Sequence, residues 1–266
     1  MLYESTNYTA DISYLTNVFI TEYDISKCNI NILYTRGIID RNTYNYLYNS
    51  ERMLRQTYVG KLQKEDPNIY KELKAGIIEA KKLLFENNNI RDCDVLSIKN
   101  DAVFLINKKP NITKFGLVEF LPKNIYTSFY KLSNLEIYYY YNNMNKEEYI
   151  EVKGISNKAL DLHKDYFLQI IKDILYFIQT SGPEIALRTL KDYYNDYITL
   201  KLPIGCYRMF DSYSNYHLKF NTIINTGFSA NFLSEKDKNL IDINYNLNIL
   251  LQLQRYIISM YFNKYK

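Results

Sequence analysis

Two kinds of hydrophobic pattern occur in the first 90 residues. Residues 17–23 (NVFITEY) are rich in β-branched and aromatic side chains and predict a strand that ends at Asp24. Residues 26–34 predict a short helix with Gly37 as its C-cap. Residues 68–87 predict a long helix because apolar side chains recur there at spacings of three and four: Leu73, Ile77, Ala80 and Leu84. Two further helices between them begin at N-caps, Asp40 and Ser50.

The pattern then changes to strands. The runs 95–99 (VLSIK) and 102–107 (AVFLIN) are separated only by Asn100 and Asp101, which predicts a tight β-hairpin. Further extended segments are predicted at 114–120, 125–130, 135–141 and 149–155. From Lys158 onward the pattern is helical, with one helix opening at Pro183 and a last helix over 235–261.

Together these elements predict an α+β protein, with an antiparallel sheet carrying helices on one face and a mainly helical C-terminal region. The soft change from strand to helix near 154–157 divides the chain into residues 1–156 and residues 157–266. The helices at 26–90 form an insertion within the first of these regions.

Composition narrows the possible functions only slightly. The net charge of +4, from 33 basic and 29 acidic residues, permits contact with nucleic acid without requiring it. The 29 tyrosines fit either codon bias or base stacking. The three cysteines are well separated, which predicts free thiols in the cytoplasm. The sequence shows neither a signal peptide nor an apolar span, which predicts a soluble protein without a membrane partner.

Asp24 and Asp101 are the candidate chemical centre. A strand that ends in one aspartate, beside a hairpin whose turn carries another, is an arrangement that can hold two divalent ions for phosphoryl transfer. Hard cations such as Mg²⁺ or Mn²⁺ prefer carboxylate oxygens. Each aspartate also has a local structural explanation, because Asp24 precedes a helix and Asn-Asp is favourable turn chemistry.

Several motifs, in this order, resemble those of palm-domain polymerases, specifically family B DNA polymerases of phage type. EYDISKCNINIL (22–33) is similar to the first carboxylate motif, and VLSIKNDAVFLI (95–106) looks like the hairpin motif. PKNIY (122–126) resembles the Lys-x-x-Tyr segment, and EVKGIS (151–156) resembles the following Lys-Gly strand. The resemblance covers residues 17–156.

The resemblance implies a reduced palm-type nucleotidyltransferase, with residues 157–266 as a thumb-like region and 26–90 as fingers. Asp24 and Asp101 would be its catalytic, metal-binding carboxylates. Its triphosphate-binding residues would be Arg52, Arg55 and Lys61, and its nucleic-acid-binding residues Lys123, Tyr126 and Lys153.

The sequence also departs from the family pattern. The hairpin has Lys99-Asn100-Asp101-Ala102 where the family has Asp-x-Asp-Ser, and the fingers motif is missing, with Lys81 and Lys82 as the nearest substitutes. Two other hypotheses therefore stay open. One is a non-catalytic phage or mobile-element protein that binds nucleic acid or a replication or transcription partner, and the other is a virion or accessory component whose tyrosine-rich surface mediates protein contacts.

Overall fold

The computed structural model describes residues 1–133, 135–153, 164–208 and 227–264, which form eight β-strands and eight α-helices. The strands are β1 (Asn7–Thr9), β2 (Tyr14–Ile25), β3 (Val95–Lys99), β4 (Ala102–Ile106), β5 (Lys114–Phe115), β6 (Val118–Leu132), β7 (Leu135–Asn142) and β8 (Glu147–Lys153). The helices are α1 (Cys28–Thr35), α2 (Arg41–Tyr48), α3 (Arg52–Glu65), α4 (Asn68–Asn87), α5 (Lys164–Thr180), α6 (Pro183–Ile198), α7 (Glu235–Lys238) and α8 (Ile243–Lys264). The predicted α+β class is confirmed.

The chain divides into two compact units. The first contains residues 1–12 and 17–126, and the second contains residues 13–16 and 127–266. In the first unit the strands follow the order β1-β3-β4-β2-β6, and in the second unit β6 is followed by β7 and β8. The division between these two units falls within β6. The predicted change at 154–157 and the predicted start of helix at Lys158 lie outside the described residues.

A shared core explains why β7 belongs with the C-terminal helices. Ile137 and Tyr139 of β7 are fully buried, and they cluster with Phe167 and Ile171 of α5 and with Leu253 of α8. A strand with one apolar face needs a partner layer, and here the helices provide it. Strand β7 and the C-terminal helices, which the sequence pattern assigns to separate regions, therefore share one hydrophobic core.

The predicted hairpin of the first unit is confirmed. Lys99 pairs with Ala102, so the loop consists of Asn100 and Asp101 alone. Asn100 adopts a φ of 54°, a left-handed conformation that asparagine tolerates better than most residues. On its other side β4 pairs with β2, and Asp24 lies opposite Ala102. The end of β2 and the hairpin turn are therefore adjacent.

Helices α1 and α4 pack against this sheet. Tyr23, Ile25, Val103 and Leu105 are buried in one cluster with apolar side chains of both helices. Helix α4 has the predicted bounds, and Gly37 has the positive φ of 68° that its predicted role after α1 requires. This packing fixes the position of α1 relative to the carboxyl end of β2.

Three local predictions were wrong in detail. Ser50 is not an N-cap, because Glu51 occupies that position of α3 and the Ser50 hydroxyl donates to the Tyr46 carbonyl oxygen. The segments 114–120 and 125–130 include parts of one long strand, β6, which continues through exposed Pro122. The predicted last helix is two helices, α7 and α8, and α7 is capped by the Ser234 side chain.

Candidate functional site

A cleft of about 320 Å³ lies in the first unit, at the end of β2. Its wall is formed by the residues that follow β2, by the start of α1, by one side of α3 and by the hairpin turn. The lining residues are Asp24, Ile25, Ser26, Lys27, Cys28, Asn29, Ile30, Arg52, Arg55, Gln56, Val59, Asp101 and Lys123.

The two predicted carboxylates both line this cleft. Asp24 reaches it from the end of β2, and Asp101 reaches it from the turn between β3 and β4. Both side chains are half-buried. The buried thiol of Cys28 lies near both aspartates; burial, followed by the charges of Asp101 and Asp24, raises the pKa of that thiol well above its usual range. Cys28 is therefore a neutral donor beside Asp101.

Backbone conformation sets the direction of α1. Lys27 has a φ of 47° and is the N-cap residue of this helix, so the chain turns sharply after β2. The Ser26 amide donates to the Glu119 carbonyl oxygen at 2.9 Å, and the Asn31 side chain donates to the Ser26 carbonyl oxygen at 2.8 Å. The first turn of α1 is thereby held against the cleft.

Lys27 has defined partners at the mouth of the cleft. Its ammonium donates to the Tyr48 carbonyl oxygen at 2.7 Å and lies 3.3 Å from the centroid of the Tyr48 ring. A cation over an aromatic face is stabilised by the ring quadrupole. This contact connects α1 with the end of α2.

Two of the three predicted triphosphate residues reach the cleft. Arg52 and Arg55 line it from α3, where a spacing of three places them on one side of the helix. The Arg55 guanidinium donates to the Ser50 carbonyl oxygen, which fixes that side chain in part. Lys61 is exposed, is not among the lining residues, and lies 3.9 Å from Glu65. Lys61 lies on another face of α3 from the two arginines, and its predicted binding of a triphosphate stays a prediction.

Lys123 also lines the cleft, and its ammonium donates to the buried carboxylate of Glu22. Glu22 is 1% exposed and accepts hydrogen bonds from Lys123 at 3.3 Å, Asn124 at 2.9 Å and Tyr126 at 3.2 Å. The Tyr126 ring is fully buried, and its predicted contact with nucleic acid stays a prediction. Its hydroxyl orients Glu22.

The third predicted nucleic-acid residue, Lys153, belongs to the second unit. Its ammonium lies 3.2 Å from Glu151 and 6.0 Å from the centroid of the Tyr138 ring. The structure gives this residue a local electrostatic role on strand β8. Its predicted contact with nucleic acid stays a prediction.

Lys99, next to Asp101 in sequence, does not line the cleft. Its ammonium donates to the side chains of Asn7 and Thr9, both at 3.0 Å, and so points toward β1. Lys81 of α4 is fully buried, and it is close enough to Asp101 for their charges to interact. Burial lowers the pKa of Lys81 to about 8, although Asp101 acts in the opposite direction.

Lys81 was named above only as a substitute for the fingers motif, and its burial near Asp101 was not predicted. A signal was present, because Lys81 falls four residues after Ile77 and three before Leu84, within the apolar stripe of α4. A charged residue in such a stripe indicates a buried charge with a specific electrostatic environment.

The formal charge of the cleft lining is positive. Lys27, Arg52, Arg55 and Lys123 contribute +4 and the two aspartates −2, which leaves +2.

Across the described parts of the chain, no group of three or more His, Cys, Asp or Glu residues is arranged to hold a metal ion. Two carboxylates fit Mg²⁺ only as a partial ligand set, because this ion takes one or two carboxylates and completes its shell with water and substrate phosphates. The lining therefore suits a polyanion.

A model of the Bacteriophage PBS1 gene 130 protein family matches residues 1–259. The chain belongs to this family. The gene 130 match supports the predicted phage association, and its description specifies no activity. No curated protein matches this gene 130 family member. In the described parts of the chain, none of the helices combines the length and the apolar character needed to cross a membrane.

Proposed function

We propose that this phage protein is a palm-type nucleotidyltransferase that acts on nucleic acid and nucleotides in the host cytoplasm. One observation carries the proposal: the pairing of β2 with the β3–β4 hairpin brings Asp24 and Asp101 to a single cleft. A carboxylate at a strand end and another at a hairpin turn, both at one cleft, are ligands that a protein can supply to a divalent metal ion.

The cationic residues of the cleft support a phosphate-bearing substrate. Arg52 and Arg55 are positioned to grip the charged tail of a nucleoside triphosphate, since guanidinium groups match phosphate oxygens in geometry and charge. Lys123, oriented by buried Glu22, adds a point charge on the opposite wall. The cleft volume of about 320 Å³ falls in the range of small-molecule sites.

Each residue has a distinct task in this proposal. Asp24 and Asp101 would hold Mg²⁺ or Mn²⁺, which when bound neutralises phosphate charge and activates a hydroxyl nucleophile. The arginines bind and orient the phosphates. Cys28, whose pKa is raised by burial, stays a neutral thiol near both carboxylates and adds no charge to the site.

The direct experiment is transfer of a labelled nucleotide to a primer, with DNA and RNA templates and with Mg²⁺ or Mn²⁺. We expect transfer by the wild type and a loss of about a hundredfold or more in Asp24→Asn and in Asp101→Asn, because each change removes a metal-binding charge. Thermal shift with Mg²⁺ and a nucleoside triphosphate should show stabilisation that both variants lose.

Asp92→Asn is the matched control. Asp92 is an exposed aspartate of the same unit and does not line the cleft, so this variant should retain transfer and stabilisation. Equal activity in Asp24→Asn and wild type, or no metal response in any of the proteins, would contradict the proposal.

A second candidate function is a non-catalytic phage protein that binds nucleic acid or a replication, transcription or virion partner. The +2 charge of the cleft lining and the buried cation beside Asp101 favour it. It predicts that the wild type binds oligonucleotides without transferring nucleotides, and that Asp24→Asn and Asp101→Asn bind at least as tightly because they remove negative charge.

A further inference from the structure

Lys81 presents an unusual combination of burial and position. Its side chain is fully buried, and its ammonium donates to the Ser5 carbonyl oxygen. No carboxylate of the described residues lies within ion-pair distance of this ammonium. An ammonium group has three N–H donors and is strongly hydrated in water, so its burial requires electrostatic compensation.

The backbone around Ser5 places this ammonium beside the hairpin turn. The Asn100 amide donates to the Thr6 carbonyl oxygen at 2.8 Å, and Asn7 pairs with Lys99 in the sheet. Residues 5–7 therefore run alongside the turn that carries Asp101. Lys81, bonded to Ser5, is therefore close to that turn, and it is not among the residues that line the cleft.

We propose that Lys81 is an internal counter-ion of Asp101 that competes with divalent cations, so the cleft alone binds them weakly and a polyphosphate recruits them. This inference rests on the proposed function and makes it more specific. The positive charge of protonated Lys81 near this carboxylate opposes the binding of a dication to it. Phosphate oxygens, held by Arg52 and Arg55, then supply the negative charge and ligands that the protein lacks.

The experiment measures Mn²⁺ affinity by electron paramagnetic resonance, with no activity readout. Wild type and Lys81→Met are titrated with Mn²⁺, each with and without inorganic tripolyphosphate. Without tripolyphosphate, Lys81→Met should bind Mn²⁺ about tenfold or more tightly than wild type, because a nearby buried positive charge is gone. With tripolyphosphate, wild-type affinity should rise by a larger factor than that of the variant.

The adjacent residue provides the matched control. Lys82 is on the same helix but half-exposed, 3.9 Å from Glu86, so Lys82→Met should leave Mn²⁺ affinity unchanged. Circular dichroism establishes that Lys81→Met is folded, and Lys81→Gln is the second variant if it is not.

Two results separate the possible failures. Mn²⁺ binding that is lost in Asp101→Asn but equal in wild type and Lys81→Met overturns the counter-ion role and leaves the proposed metal site intact. Mn²⁺ binding that Asp24→Asn and Asp101→Asn do not affect, in the presence of tripolyphosphate, overturns the proposed metal site itself.

Discussion

Buried tyrosine hydroxyls in the second unit differ in whether they have a partner. The Tyr139 hydroxyl donates to Glu148 at 2.9 Å. The Tyr130 hydroxyl is near Ser128 and Gln179, yet it makes no hydrogen bond of acceptable geometry among the described residues. Tyr130 is fully buried, and this burial raises its pKa to about 12.

This difference predicts opposite effects of two equivalent substitutions. Tyr130→Phe removes an unsatisfied polar group, so the free energy of unfolding at pH 7 should be unchanged or higher by up to about 1 kcal/mol. Tyr139→Phe removes a hydrogen bond to a carboxylate and should cost about 1.5 to 3 kcal/mol. Urea unfolding at pH 7 measures both, and a larger loss in Tyr130→Phe than in Tyr139→Phe would contradict the assignment.

The pKa of Tyr130 also gives a pH dependence with a definite sign. Because the folded-state pKa is above the ordinary value of 10.0, the stability linked to this hydroxyl is complete below pH 10. It is lost as pH rises from 10 through 12, by up to about 3 kcal/mol. Over that interval wild type should lose stability relative to Tyr130→Phe.

Sequence analysis identified residues whose signals are local and missed those whose roles depend on distant neighbours. Asp24 follows a strand and Asp101 occupies a two-residue turn, and both features are visible in short stretches. The burial of Tyr126 depends on its contact with Glu22, which is 104 residues away. Likewise, Lys81 contacts Ser5 across 76 residues. The spacing of apolar residues along the sequence does not indicate which distant residues form such pairs.

At the scale of elements, the approach of α4 to α1 depends on a glycine. A Cβ atom on Gly76 would overlap with the Ile32 side chain of α1. Gly60 of α3 has open space around the same position. Both glycines are helical, so replacing either one by alanine changes helix propensity in the same way. A difference between the two variants therefore reports packing at Gly76.

Gly76→Ala should lower the free energy of unfolding by about 1 to 2 kcal/mol, because overpacking at Ile32 exceeds the gain in helix propensity. Gly60→Ala should raise it by about 0.5 to 1 kcal/mol, since only the propensity gain applies. Thermal or urea unfolding measures both. Stabilisation by Gly76→Ala equal to that by Gly60→Ala would show that the helices are not in close contact there.

The bounds of a helix or strand were predicted well where the residues that begin and end it lie within the same segment. The bounds of α4 follow from the Asp66-Pro67 break and from its apolar stripe. Strand β6 was divided in two because Pro122 is a strand breaker in most contexts, and only its exposed position explains its tolerance here. The assignment of β7 to the second unit follows from the helices that cover it, which a local pattern does not indicate.

At the scale of the whole molecule, the positions of the charged residues indicate a preference for anions better than the net charge does. The chain carries 33 basic and 29 acidic residues, an excess that alone gives little preference for anions. Helix α3 concentrates positive charge, since it carries Arg52, Arg55, Lys61 and Lys64 against Glu65 alone, and its two arginines line the cleft. Local excess of one sign in a concave site focuses the electrostatic potential there.

This distribution predicts which cations bind a polyanion. Arg52 makes no hydrogen bond or ion pair with the described residues and lines the cleft, so Arg52→Ala should weaken tripolyphosphate binding by about tenfold to a hundredfold. Lys61→Ala removes an equal charge from the same helix outside the cleft and should change affinity by less than about twofold. Isothermal titration calorimetry at two salt concentrations measures both, with weaker binding at the higher salt. Equal losses in the two variants would mean that general attraction to a basic helix, and not the cleft, binds the anion.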